Sequence, residues 1–184
     1  MVKVAALYHD VGKTLKPHYF IENQSGTNPH DQLSYLDSAK TIIAHVTEGV
    51  KMAEKNNLPK IIVDFIKTHH GTTAVEYFYR LYVKNTEGGE KDRAEFQYPG
   101  PKPKTREEVI LMLADSLEAT SKSLKNPNSD NIDELVERIV ADKVTHGQLQ
   151  DSDLTFGELE RCKASFKATL KSMHHVRIEY PKAE

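Results

Sequence analysis

His9 and Asp10 sit side by side in Tyr8-His9-Asp10-Val11-Gly12-Lys13, and further residues of ligand type follow at long intervals: His45, the pair His69-His70, and Asp115. Imidazole nitrogen and carboxylate oxygen are the donors that borderline and hard divalent cations accept. Groups of this kind at the ends or on the inner faces of expected helices point to a metal-dependent hydrolase. An adjacent His-Asp pair is weak evidence by itself, since such dipeptides occur by chance in many proteins and a solvated helix end is the competing account. The Gly12-Lys13 that follows makes it more specific. At about 100° of rotation per helical residue, His9 and Asp10 can both reach one metal cluster if their helix end faces it. Asp10 has two oxygens and can bridge two ions, which an imidazole cannot do.

The other ligand candidates differ in strength. His45, taken alone, reads more readily as a hydrogen-bonded core histidine than as a ligand. His69-His70-Gly71 is stronger, because two imidazoles at the end of a buried helix need a partner for each ring nitrogen. Asp115 follows the apolar run Val109-Ile110-Leu111-Met112-Leu113-Ala114. A carboxylate buried there needs a cation, strong donors or a metal.

Other residues could bind an anionic substrate. Lys13 can set an ammonium beside a phosphate, and Thr72 and Thr73 can donate to one or simply cap the next helix. Tyr98, Lys102 and Lys104 form a lip suited to an anion that carries flat rings, or an ordinary solvated loop. His30 lies in the long loop with nothing to fix it at the site. The pair His174-His175 follows the last apolar helix and reads as surface.

The elements that must position these residues are helical. Val2, Val4, Ala5, Tyr8 and Val11 mark a first helix, which begins uncapped and stops near Gly12 by a left-handed glycine. That start suggests a chain cut from a longer protein. Residues 14–33 read as a long loop, a length uncommon in compact domains unless it serves a site. Ile42, Ile43, Val46, Val50 and Ala53 mark a helix over roughly 34–56. Pro59 opens the next, with Ile62, Phe65, Ile66 and His69 inward and Gly71 as its stop. Residues 72–85 are expected to be helical, with Tyr77, Phe78, Leu81 and Tyr82 inward. Tyr98-Pro99-Gly100-Pro101-Lys102-Pro103 is too rich in proline for a helix interior. Thr105 with Glu108, and Thr155 with Glu158, are capping boxes. Asp130 is expected to cap the helix between them. Leu159, Cys162, Phe166, Leu170 and Met173 keep register along the last. No convincing strand pair is present, so the fold is all-α.

Composition narrows the function classes. At 184 residues the chain reads as one domain over 1–184, with a net charge of −2 that argues against binding a nucleic acid polymer through bulk charge. Its one cysteine, Cys162, excludes a disulfide framework. No apolar run reaches the roughly 20 residues a membrane-crossing helix needs. The chain as given is therefore expected to be soluble and intracellular, without direct membrane contact.

His9-Asp10, His45, His69-His70 and Asp115 resemble, in order, the HD-domain metal-dependent phosphohydrolases, which implies a helical bundle. More narrowly, several motifs are similar to the PgpH type, bacterial seven-transmembrane receptors with an intracellular HD hydrolase domain. They are His9-Asp10-Val11-Gly12-Lys13, Phe20-Ile21-Glu22-Asn23-Gln24, Asn28-Pro29-His30-Asp31, His69-His70-Gly71-Thr72-Thr73, Tyr98-Pro99-Gly100-Pro101-Lys102-Pro103 and Ala114-Asp115-Ser116-Leu117-Glu118-Ala119. The resemblance implies a phosphodiesterase of second-messenger signalling that opens cyclic di-AMP to pApA, at two divalent ions of iron or manganese. His9, Asp10 and Asp115 would hold one ion, and Asp10 would bridge to a second held by His45, His69 and His70. The resemblance also implies a membrane-embedded parent protein, with this part at the cytoplasmic face of the cell membrane. The family carries a further histidine ligand upstream that this chain begins too late to include, so the first ion is expected to be weakly held or absent. Two alternatives stay open: a phosphohydrolase acting on cyclic di-GMP or another nucleotide, and a sensor module that binds a cyclic dinucleotide with little turnover.

Overall fold

The structure is a computed structural model that describes residues 1–24, 26–125 and 127–174. Its helices are α1 (Val2–Tyr8), α2 (Tyr35–Lys55), α3 (Lys60–Thr68), α4 (Glu76–Asn85), α5 (Arg106–Ser121), α6 (Ser129–Thr145) and α7 (Phe156–Met173). Among the described residues, pairing of β type is confined to one antiparallel bridge, Ala74 with Gln97. The all-α expectation therefore holds. No helix among the described residues is long and apolar enough to cross a membrane. The chain folds as two compact units, Met1–Pro103 and Lys104–Glu184.

In the first unit α2 is the central element. Its first turn is closed by Ser34, whose hydroxyl accepts from the Asp37 N–H, and it ends at Asn57, a residue in the left-handed region. Against it pack α3, α4 and the 3₁₀ turn Val11–Leu15. The segment expected to be one long loop is a series of 3₁₀ turns: Val11–Leu15, Pro17–Tyr19, Ile21–Asn23 and Pro29–Gln32. Prolines 17 and 29 open two of them, where their fixed φ and missing N–H cost least. Helix α1 is short and buries Ala5, while Val4 and Leu7 are exposed. Gly12 does not stop α1 by a left-handed turn. It lies buried in a 3₁₀ turn against α2, where a Cβ would stand 1.9 Å from the His45 carbonyl oxygen. Close backbone approach, not conformational freedom, requires glycine there.

Helix α4 starts later than expected, and Tyr77 points to solvent at 70% exposure. Residue 72 lies in a turn, and residues 73–75 pair with the segment that leads into the proline-rich loop. The Val75 N–H donates to the Phe96 carbonyl and the Tyr98 N–H to the Thr73 carbonyl, each at 2.9 Å.

The second unit is a three-helix assembly of α5, α6 and α7 around Val109, Leu113, Leu117, Ile132, Val136 and Leu170. Both capping boxes form, Thr105 with Glu108 and Thr155 with Glu158. The cap of α6 is Asn128 with Asn131, so Asp130 sits in the first turn, where its charge suits the helix dipole. On α7 Leu159 and Leu170 are buried, whereas Met173 is exposed. His174 follows α7 and is half-buried, and its expected companion His175 lies outside the described residues.

Candidate metal centre

Asp10, His45, His69 and His70 each offer a ligand atom, and these atoms lie within 4.8 Å of one another. Three separate stretches of the first unit achieve this. The carboxyl end of α1 delivers His9 and then Asp10, where the backbone leaves the helix for the Val11–Leu15 turn. The middle of α2 presents His45, and the end of α3, stopped by left-handed Gly71, presents His69 and His70.

A single local device orients three of the imidazoles. Nδ1 of His9 lies 3.0 Å from the Ala6 carbonyl, that of His45 2.6 Å from Ile42, and that of His69 2.8 Å from Ile66. A carbonyl oxygen only accepts, so each Nδ1 must carry the proton. In the neutral ring Nε2 is then left as a lone pair, the form in which imidazole binds metal. Nε2 of His45 and His69 face each other at 3.2 Å.

Asp10 meets these rings from the other side. Its Oδ2 lies 3.1 Å from Nε2 of His9 and 2.8 Å from the Lys13 ammonium. Its Oδ1 lies 3.4 Å from Nε2 of His45 and 3.7 Å from Nε2 of His69, buried and without a well-formed hydrogen bond among the described residues. A buried carboxylate oxygen facing imidazole lone pairs is what a divalent cation would satisfy, so the donor set fits a metal ion. Burial by itself would raise the Asp10 pKa, but His45 and His9, when their Nε2 atoms are protonated, and the Lys13 ammonium outweigh it and hold the carboxyl well below the usual range. The carboxylate stays ionised.

His70 is set differently. Its ring stacks on Tyr98 with centroids 4.2 Å apart and planes 23° from parallel, and lies 4.0 Å from the His69 ring. The pairing of residues 73–75 with 96–98 carries Tyr98 to that position. Tyr98 is consequently buried, and its ring is engaged with His70 instead of standing free as an outer lip. The Thr73 hydroxyl donates to the His70 carbonyl at 2.7 Å, and the Thr72 methyl faces Gly100. Lys102 is half-buried in the proline-rich loop.

Lys13 lies at the centre, as expected, but in company that sequence reasoning did not assign. Glu22 Oε1 also meets its ammonium at 2.8 Å, and the Phe20 ring lies 5.1 Å beneath it. Phe20 also sets its ring edge-on to His45 at 5.6 Å. Phe20-Ile21-Glu22-Asn23-Gln24 stands out in the sequence only as a family-like motif, and nothing in it assigns Phe20 or Glu22 to Lys13. Asp115 lies on α5 in the second unit and is half-buried, so burial alone is a weaker argument for a ligand role than its apolar flank suggested.

The HD domain family model matches residues 1–120. Over 184 residues the chain is 46% identical to the cyclic-di-AMP phosphodiesterase PgpH of Bacillus subtilis, covering all of this chain and 26% of that protein. Over 182 residues it is 40% identical to the PgpH of Listeria monocytogenes, covering 98% of this chain and 25% of that one. The chain thus spans about a quarter of the length of these relatives. Among solved structures, the L. monocytogenes PgpH HD domain in complex with cyclic-di-AMP superposes with a TM-score of 0.88 at 38% identity, covering 97% of this chain and 82% of that one. The same domain in another crystal structure gives 0.87 at 38% identity, covering 95% and 81%.

Proposed function

Because the chain belongs to the HD domain family, we propose that it is a metal-dependent phosphodiesterase that opens cyclic di-AMP to pApA. The observation that carries this reading is the convergence of Asp10, His45, His69 and His70 on one point. Its choice of substrate is supported by relatives named for cyclic di-AMP that align along nearly the whole chain.

In this proposal the centre holds two divalent ions, iron or manganese. His45, His69 and His70 would hold one, and His9 and Asp10 would hold the other, with Asp10 shared between them. Asp115 is proposed as a further ligand. When bound, such ions polarise phosphoryl oxygens and bring the pKa of a coordinated water toward neutrality. The residues of the chain supply the rest. Nδ1 donation to the helix carbonyls keeps the Nε2 lone pairs of His9, His45 and His69 aimed inward. Lys13 holds an ammonium beside Asp10, where it can neutralise charge gathering on a phosphoryl group. Thr72, Thr73 and Lys102 are proposed to contact the substrate, and Tyr98 supports His70. The longer protein is proposed to be a membrane receptor, with this part at the cytoplasmic face.

The test is turnover of cyclic di-AMP and cyclic di-GMP by the chain with Mn²⁺ or anaerobic Fe²⁺, beside Asp10→Ala. The expected result is selective release of pApA that the variant loses while staying folded. Turnover retained by Asp10→Ala would overturn the reading. Binding of the dinucleotide without turnover by the chain would favour a sensor module, and preference for cyclic di-GMP would reassign the substrate.

A further inference from the structure

Asp10 serves two cations if it is a metal ligand, because its Oδ2 already lies 2.8 Å from the Lys13 ammonium. Left to itself, that pair opposes metal binding: a lysine held on one carboxylate neutralises the charge the metal needs. The structure places a second carboxylate on the same ammonium, with Glu22 Oε1 at 2.8 Å. A lysine ammonium has three N–H donors, so it can be shared between both acids.

The location of Glu22 is built. Phe20 is 6% exposed, anchors the Ile21–Asn23 turn, touches His45 with its edge and lies under Lys13 with its face. With Phe20 fixed, Glu22 two residues later lies within reach of Lys13 and meets it. Its neighbour Ile21 is 82% exposed, so the turn is held by Phe20 and not by burial of its own residues.

We propose that Glu22 is a positioning residue that shares Lys13 with Asp10, so that this carboxylate keeps more of its charge for the metal while the ammonium stays at the edge of the site. The inference rests on the reading of Asp10 as a metal ligand. Glu22 acts through Lys13, and this separates it from a charge that merely attracts cations through space. Such a charge would act equally whether or not Lys13 were present.

The experiment is a Mn²⁺ titration of the chain, followed by calorimetry, for wild type, Glu22→Gln, Lys13→Met, the double variant and Asp10→Ala. Glu22→Gln is expected to weaken Mn²⁺ binding by about fivefold, the scale of one partly exposed ion pair. Lys13→Met is expected to bind at least as well as wild type, and adding Glu22→Gln to it is expected to change nothing further. Equal weakening by Glu22→Gln in both backgrounds, or no weakening in either, overturns the inference. If Asp10→Ala binds Mn²⁺ as wild type does, Asp10 is no ligand, and the metal assignment fails first and takes this inference with it.

Discussion

Nε2 of His45 and Nε2 of His69 stand 3.2 Å apart, while Nδ1 of each ring donates to the carbonyl three residues earlier in its own helix. The backbone thus dictates the tautomer on both sides, and two lone pairs are pressed together beside a buried carboxylate oxygen. Only a cation between them, a proton or a metal ion, makes that contact favourable. The arrangement is held by α2 and α3, which pack against each other.

A divalent metal should therefore stabilise the fold as well as enable chemistry. Thermal denaturation of the chain with and without Mn²⁺ measures this. At a hundredfold excess over the dissociation constant, the linkage is worth about 2.7 kcal/mol. Asn at position 69 keeps a polar side chain but removes the facing lone pair, so His69→Asn should abolish most of the shift. An equal shift in that variant would show that the ion binds elsewhere.

Gly12→Ala should disturb the centre without touching a ligand. The added Cβ would meet the His45 carbonyl oxygen at 1.9 Å and the Gly49 nitrogen at 2.7 Å, both backbone atoms of α2. Neither can move without the helix. Destabilisation on the order of 3 kcal/mol by urea unfolding is expected, together with weaker metal binding, because the turn carries Asp10 and Lys13. A variant as stable as wild type would mean that the turn and α2 can separate at little cost.

Much of this was legible in the sequence, for reasons that particular residues make plain. The helices announce themselves because their apolar positions repeat with one period and their ends carry caps such as Thr105-Glu108. His9-Asp10 and His69-His70 were legible from residue type and place at helix ends, whereas His45 became legible only in their company. What escaped was whatever depends on irregular backbone. Glu22 meets Lys13 across successive 3₁₀ turns, a path with no period to read. Tyr98 is aromatic in either role, and only the extended pairing of residues 73–75 with 96–98 decides that it faces His70. Gly12 and Gly71 look alike in sequence, yet only Gly71 has positive φ, whereas Gly12 is required by contact.

Acid should weaken the second unit through the cap of α7. Glu158 accepts from the Thr155 N–H and hydroxyl and from Arg106, which together pull its pKa down from 4.5 to about 2. The folded-state value is depressed, so the stabilisation is fully present above the ordinary value and is lost as pH falls through about 2. Urea midpoints across that window should fall for wild type, with a flatter curve for Glu158→Gln. Parallel curves would mean that another carboxylate governs acid stability.

Tyr98 tests whether a ligand imidazole needs its aromatic support. The near-parallel stack at 4.2 Å fixes the His70 ring plane, and the Tyr98 N–H bond to Thr73 fixes Tyr98 in turn. Leucine at this position fills much of the volume but presents no flat face. Tyr98→Leu should thus cost about 1 kcal/mol of metal affinity, close to fivefold, the usual worth of an aromatic pair beyond its buried area. Tyr98→Phe retains the face and should bind Mn²⁺ nearly as wild type does. If both variants lose affinity equally, the hydroxyl and not the stack positions the ligand. If neither loses any, His70 is held by the turn at Gly71 alone.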